Sequence, residues 1–277
     1  MLAVSLSAIP PRFPRLDLTL RSILAQSRPA DRVLLYIPRA YRRFPEWDGV
    51  LPEVPEGVEI RRCEMDMGPA SKVLPAAMEL QGQDCDLLFC DDDKIFHPDW
   101  IARFLAAKER HPGCAIAQSG QEAHWLAPGG SERALRPRAV RRWRITDIPF
   151  QLRFLLRDIR AGKARATLPD PPRRAFKRSG YIDIFEGGHG VLVRPEWFAP
   201  EDCDIPPVIW SVDDVWLSGM VARKGIPIWL DANVLDPVET MSSPLASLNA
   251  AVLDGVGRED ADAAAVTYMR NTHGLWL

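Results

Sequence analysis

A chain of 277 residues, 47% hydrophobic and 26% charged, has the length for a sizeable buried core and an ordinary globular composition. Five scattered cysteines (Cys63, Cys85, Cys90, Cys114 and Cys203) form no CxxC pair, which argues against a disulfide framework or zinc site and for a reduced, cytoplasmic setting. No run approaches the about 18 apolar residues of a membrane span, and an N-terminal apolar run broken by Pro10 and Pro11, with no basic lead, does not read as a signal peptide.

The first 120 residues alternate apolar strand-like runs with helical patterns. Residues 2–8 read as a strand. Residues 14–27 put Leu16, Leu20, Ile23 and Leu24 on one helical face. Strands are predicted at 32–37 and 58–62, a helix at 71–80, a strand at 87–90, a helix at 98–110 and a strand at 114–119. Such alternation predicts an α/β fold, a parallel sheet with helices on both faces and ligands at the carboxyl ends of its strands. Residues 128–180 are rich in Pro, Gly and Arg and read as a basic insertion or flap. Strands resume near Tyr181 and Val191, followed by a helix over 213–224 and a strand over 226–230.

The strongest chemical feature is Asp91-Asp92-Asp93, directly after the buried run LLFC. Three adjacent carboxylates repel one another, so a site that keeps them ionised supplies a counter-cation. Hard oxygen ligands at a strand end suit Mg²⁺ or Mn²⁺. A second feature, Asp66-Met67-Gly68-Pro69-Ala70-Ser71-Lys72, joins a strand to a helix; Gly68 permits close backbone approach and the helix start favours phosphate. A third is the run Glu186-Gly187-Gly188-His189-Gly190, and a fourth the acid pair Asp213-Asp214 opening an apolar helix. His273 lies close to the C-terminus.

A buried strand ending in Asp-x-Asp after a βαβα start, then a Gly-rich loop, an acid pair and a late histidine, resembles the GT-A glycosyltransferases. The resemblance implies one Rossmann-like GT-A domain over 1–277, a mostly parallel sheet flanked by helices, with a nucleotide-binding half (1–125), the Arg-rich basic insertion (126–180) and an acceptor half (181–277). It implies sugar transfer, with inversion, from a UDP-, GDP- or dTDP-linked donor to a glycan or lipid-linked acceptor, using Mn²⁺ or Mg²⁺. Carried over, Asp93 is the main metal ligand, Asp91 and His273 supporting ligands, and Asp92 lies beside the nucleotide. Ser7, Ile9 and Pro10 contact the nucleotide, Asp66 the base or ribose, and Lys72 the base or diphosphate. Gly188 and His189 line the donor sugar and acceptor. Asp214 is the base, and Asp213 binds acceptor hydroxyls.

A sugar nucleotidyltransferase is the nearest rival, but the stretch SAIPPRFPR has no glycine for its first loop. A dehalogenase-type phosphatase carries Asp-x-Asp after its first strand, not its fourth. The non-enzymatic alternative is a basic membrane- or anion-binding module. Its support is residues 133–178, where 13 Arg and 2 Lys face 3 Asp; that net +12 leaves −14 for the remainder. Within it, Phe150, Phe154 and Leu155 beside Arg153, Arg157 and Arg160 suggest an interfacial helix at the inner face of a membrane, or a grip on an anionic acceptor. Nothing in the sequence suggests a nucleic-acid partner.

Overall fold

The computed structural model describes residues 1–130, 135–162, 168, 170–232, 234–248 and 255–277. Arg133, Lys163 and Arg165 of the basic segment lie outside them. Strands β1 (Leu2–Ser7), β2 (Arg32–Pro38) and β3 (Val58–Cys63) come first, with helix α1 (Leu16–Leu24) after β1. Helix α2 (Leu74–Glu79), β4 (Asp86–Phe89), β5 (Lys94–Ile95) and α3 (Trp100–Arg110) follow. Then come β6 (Ala115–Ala117), β7 (Gly120–Gln121) and the one-turn α4 (Ala123–Leu126). The basic segment contributes β8 (Val140–Arg141), α5 (Ile148–Ala161) and β9 (Phe176–Arg178). The chain continues through β10 (Gly180–Ile182), β11 (Ile184–Phe185), β12 (Val191–Val193) and α6 (Asp213–Arg223). It ends with β13 (Ile228–Leu230), β14 (Val238–Glu239) and α7 (Arg258–His273).

Eight strands form the central sheet in the order β10-β13-β6-β12-β4-β1-β2-β3. β1 pairs in parallel with β2 and β4, β2 with β3, and β13 with β6. β12 runs antiparallel between β4 and β6, and β10 antiparallel on β13. The sheet is therefore mostly parallel, as the resemblance implies. It draws strands from both 1–125 and 181–277, so the two predicted halves share one sheet.

Both faces are covered. Leu16, Leu20 and Ile23 of α1 pack with Trp100 and Phe104 of α3 against Val4, Leu6 and Leu35 on one face. Each such side chain, fully buried, contributes about 1.5–3 kcal/mol. On the other face Leu74 and Ala77 of α2, Val215 and Leu217 of α6 and Val266 and Met269 of α7 cover Leu34, Leu87 and Phe89. The helix predicted at 71–80 begins later, at Leu74, behind a 3₁₀ turn over Gly68–Lys72. Pro75 lacks the N–H that a helix interior needs but suits a first turn, so the helix starts there.

Two short pairings position the site. β11 pairs with β7, bringing Glu186 to the sheet's carboxyl edge, and β14 pairs with β5, so that the Thr240 N–H donates to the Asp93 carbonyl beside the acid triplet. No helix among the described residues is long and apolar enough to cross a membrane.

Candidate functional site

β1, β2, β3 and β4 run parallel, so the loops leaving their carboxyl ends meet at one edge of the sheet. A cavity of about 450 Å³ lies there. Its wall takes Ser7 and Ile9 from the end of β1, Asp66, Gly68 and Lys72 from the turn after β3, and Asp91, Asp92 and Asp93 after β4. Gly188 and His189 join from the glycine loop, and Asp213 and Asp214 from the start of α6. Pro10 lines a separate surface depression with Phe13 and Trp47. His273 is not brought to the cavity. Its ring lies 6.3 Å from that of Trp216 and 6.0 Å from that of Tyr268, in the packing between α6 and α7.

The acids are matched by protein cations. Lys72 is buried, its Nζ 2.6 Å from Asp91 Oδ1 and 3.0 Å from Asp213 Oδ2. Arg12 Nη1 lies 2.6 Å from Asp92 Oδ1 and 3.1 Å from Asp93 Oδ2. Lys94 Nζ donates to Glu239 at 2.8 Å and sits 3.8 Å from Asp93 Oδ1. Burial opposes charge on Asp91, but Lys72, Lys94 and Arg12 overcome it and hold its carboxyl below the usual range. Burial, relieved by Arg12 and reinforced by Asp93, pushes Asp92 up to about 6. Asp91 and Asp92 thus differ in proton affinity although adjacent in sequence.

Asp213 and Asp214 open α6. The Gly187 N–H donates to Asp214 Oδ1 at 2.9 Å, so the glycine loop is pinned to the acid pair. Burial first, and the neighbouring Asp213 second, push the Asp214 carboxyl well above the usual range, against the pull of Lys72 and Arg258. The loop needs its glycines. A Cβ at Gly187 would stand 2.8 Å from Lys72 Nζ. Gly190 has φ +98° with the Trp100 ring 2.5 Å from where its Cβ would be. Glu186 accepts from Ser119 Oγ, and from Gln121 Nε2 at 2.7 Å.

Asp66 joins two loops: its carboxylate accepts the Gly68 N–H and the Arg42 N–H, both at 2.8 Å. Trp210 covers this turn, its indole N–H donating to the Asp66 carbonyl at 3.3 Å. Arg12 and Arg43 also donate to carbonyls of the C-terminal loop, at Ser243, Leu245 and Ala246, and so draw that loop over the cavity.

Sequence reasoning missed Arg12, Arg43, Trp210 and Arg258. Arg258 donates to the Ser211 carbonyl at 2.8 Å and lies 3.3 Å from Asp262 Oδ2, one helical turn on. That i,i+4 pair at a helix start was legible, but it reads as ordinary helix support. Arg12 carried no motif, because its partners lie some eighty residues further along the chain.

No family model and no curated protein matches the chain. Among solved structures, it is similar to the crystal structure of S. aureus TarS 1-349. The match covers 98% of this chain and 72% of that one, at 11% identity and a TM-score of 0.44. At those values the likeness carries no argument about activity or substrate, which are read from the site itself.

The donor chemistry suits a hard cation. Asp92 Oδ2 and Asp93 Oδ1 are buried without a hydrogen-bond partner among the described residues, with Lys94 Nζ 3.8 Å from the latter. No three His, Cys, Asp or Glu side chains among the described residues enclose a metal position.

Proposed function

We propose that this protein is a glycosyltransferase that moves a sugar from a nucleoside-diphosphate sugar to a glycan or lipid-linked acceptor, with inversion at the anomeric carbon. The observation that carries this reading is the convergence of the acid triplet, the buried Lys72 and the acid pair of α6 on one cavity at the strand ends. In this reading Ser7, Ile9, Asp66 and Gly68 form the nucleotide side, and Lys72, Arg12 and Arg43 face the diphosphate. Gly188 and His189 lie along the sugar. Asp214 takes the proton from the acceptor hydroxyl as the glycosidic bond to the diphosphate breaks, and Asp213 holds that hydroxyl in line. A raised proton affinity suits Asp214 to the task, since a base works best when its pKa approaches the operating pH. A divalent cation held by Asp93 and Asp91, Mn²⁺ or Mg²⁺, would neutralise charge on the departing diphosphate.

Calorimetry with UDP, GDP and dTDP tests the donor half. One nucleotide is expected to bind, and EDTA or Asp93→Ala to weaken it by at least the about 10–100-fold that loss of an outer-shell metal partner costs. Unchanged affinity under both treatments would assign the diphosphate to Arg12, Arg43 and Lys72 and remove the metal from this reading. Incubation with a panel of nucleotide sugars and Mn²⁺ then identifies the donor by its slow hydrolysis.

A further inference from the structure

Helix α5 has two faces, and they differ from what its sequence suggests. Phe150 is buried, and Phe154 packs against it with ring centroids 5.8 Å apart. Arg144, Arg157 and Arg173 lie over these rings, Arg157 at 4.2 Å from the Phe154 centroid. Arg157 also pairs with Asp158 and Asp170, and Arg173 Nε lies 3.7 Å from the buried Asp147. The aromatic stripe and part of the charge thus face inward. The opposite face, at helical spacing 148, 152, 155 and 159, is apolar and exposed. Ile148 is 76% exposed and Ile159 68%, with Leu152 and Leu155 between them. Just before the helix, Trp143 and Ile145 are 79% and 85% exposed.

The same basic segment carries exposed cations. Arg160 on the helix and Arg174, Lys177 and Arg178 on and before β9 are exposed, and none has an ion-pair partner among the described residues. An exposed apolar helix face preceded by an exposed tryptophan, in a segment with unpaired Lys and Arg, matches the interface of an anionic bilayer: the apolar side chains enter the headgroup boundary and the cations meet the phosphates. A second copy of the chain would bring the same excess of positive charge against itself, which disfavours self-association through this face.

We infer that the α5 face, with Trp143 and Ile145, docks the protein reversibly on an anionic lipid surface. The segment also touches the cavity wall. The Asp236 N–H donates to the Arg173 carbonyl at 2.8 Å, and the Asp236 carboxylate lies 3.5 Å from His189 Nε2. If the proposed transfer holds, docking brings a lipid-borne acceptor to that side of the cavity. The docking itself does not depend on the transfer.

Co-sedimentation of the full chain with vesicles tests it, using phosphatidylglycerol mixed with phosphatidylcholine against phosphatidylcholine alone. Pelleting is expected with the anionic vesicles at about 50 mM salt and a fall of about tenfold at about 500 mM, where charges are screened over a few ångströms. Leu155→Glu/Ile159→Glu is expected to lower pelleting at least about tenfold while melting and nucleotide affinity stay at wild-type values, because both side chains already face solvent. Should that variant misfold, Arg160→Ser/Lys177→Ser is expected to weaken pelleting with a shallower salt dependence. Absence of wild-type pelleting at low salt overturns the inference. So does pelleting unaffected by either variant, or a wild-type dimer that becomes monomeric in the Glu variant without any vesicle binding. Loss of turnover with pelleting intact would count against the proposed reaction and leave the docking standing.

Discussion

Asp214→Asn is expected to lower turnover by about 10²–10⁴-fold, the usual worth of a positioned base, with nucleotide affinity unchanged. Asn keeps an oxygen that can accept the Gly187 N–H, so the glycine loop keeps its anchor and only the basic oxygen is lost. The pH profile gives a second handle. Burial and Asp213 raise the Asp214 carboxyl, so in the wild type activity should rise with pH as that group loses its proton. Asp213→Asn removes the like charge and should move this limb toward lower pH. Asp214→Asn should abolish the limb. NMR of the product linkage completes the test: a retained anomeric configuration would exclude Asp214 as the base of a single displacement, whatever the mutant rates.

Lys72→Met is expected to be the most destabilising single change at the site, costing about 3–5 kcal/mol. It leaves Asp91 and Asp213 buried or half-buried without their shared counter-charge. Against a total stability of about 5–15 kcal/mol that is a large fraction, read as a lower urea midpoint at unchanged slope. The size follows from position. Lys72 is buried, so burial itself works against its charge, and Asp213 and Asp91 raise its proton affinity despite that cost. An exposed pair such as Arg21 with Asp17 on α1 should by contrast contribute little, because water screens it. A Lys72→Met protein within about 1 kcal/mol of wild type would mean that water, or protonation of one of the acids, already neutralises the cluster. Lys72→Met should also reduce nucleotide affinity, and a folded variant with wild-type affinity would remove Lys72 from the diphosphate side.

Much of the framework is written locally in the chain. The apolar runs of β1, β2, β4, β6 and β13 and the helical spacing of Leu16, Leu20 and Ile23 read directly as elements, because strand and helix periods depend on neighbours within a few residues. The acid triplet at the end of a buried run, the glycine loop and the acid pair were legible for the same reason, and parallel strands bring their carboxyl ends together. What neutralises the triplet was not legible locally. Three adjacent carboxylates need counter-charge; Arg12, Lys72 and Lys94 supply it from the protein, and only the fold brings Arg12 to Asp92. The reversed direction of β12 was equally hidden, since a three-residue apolar strand pairs either way until β4 and β6 flank it.

His273 and α5 mark the same boundary. Order along the chain brings a late histidine toward a metal, yet α7 packs on α6 and turns His273 toward Trp216 and Tyr268. In α5 a helical period defines two apolar stripes without saying which faces inward. Local periodicity and motif spacing are enough to place a carboxylate-lined edge on a mostly parallel α/β sheet. Which cations meet those carboxylates, and which face of α5 is left to solvent, emerges from packing, because both depend on pairings between residues far apart in the chain, where burial rather than local period selects the partner.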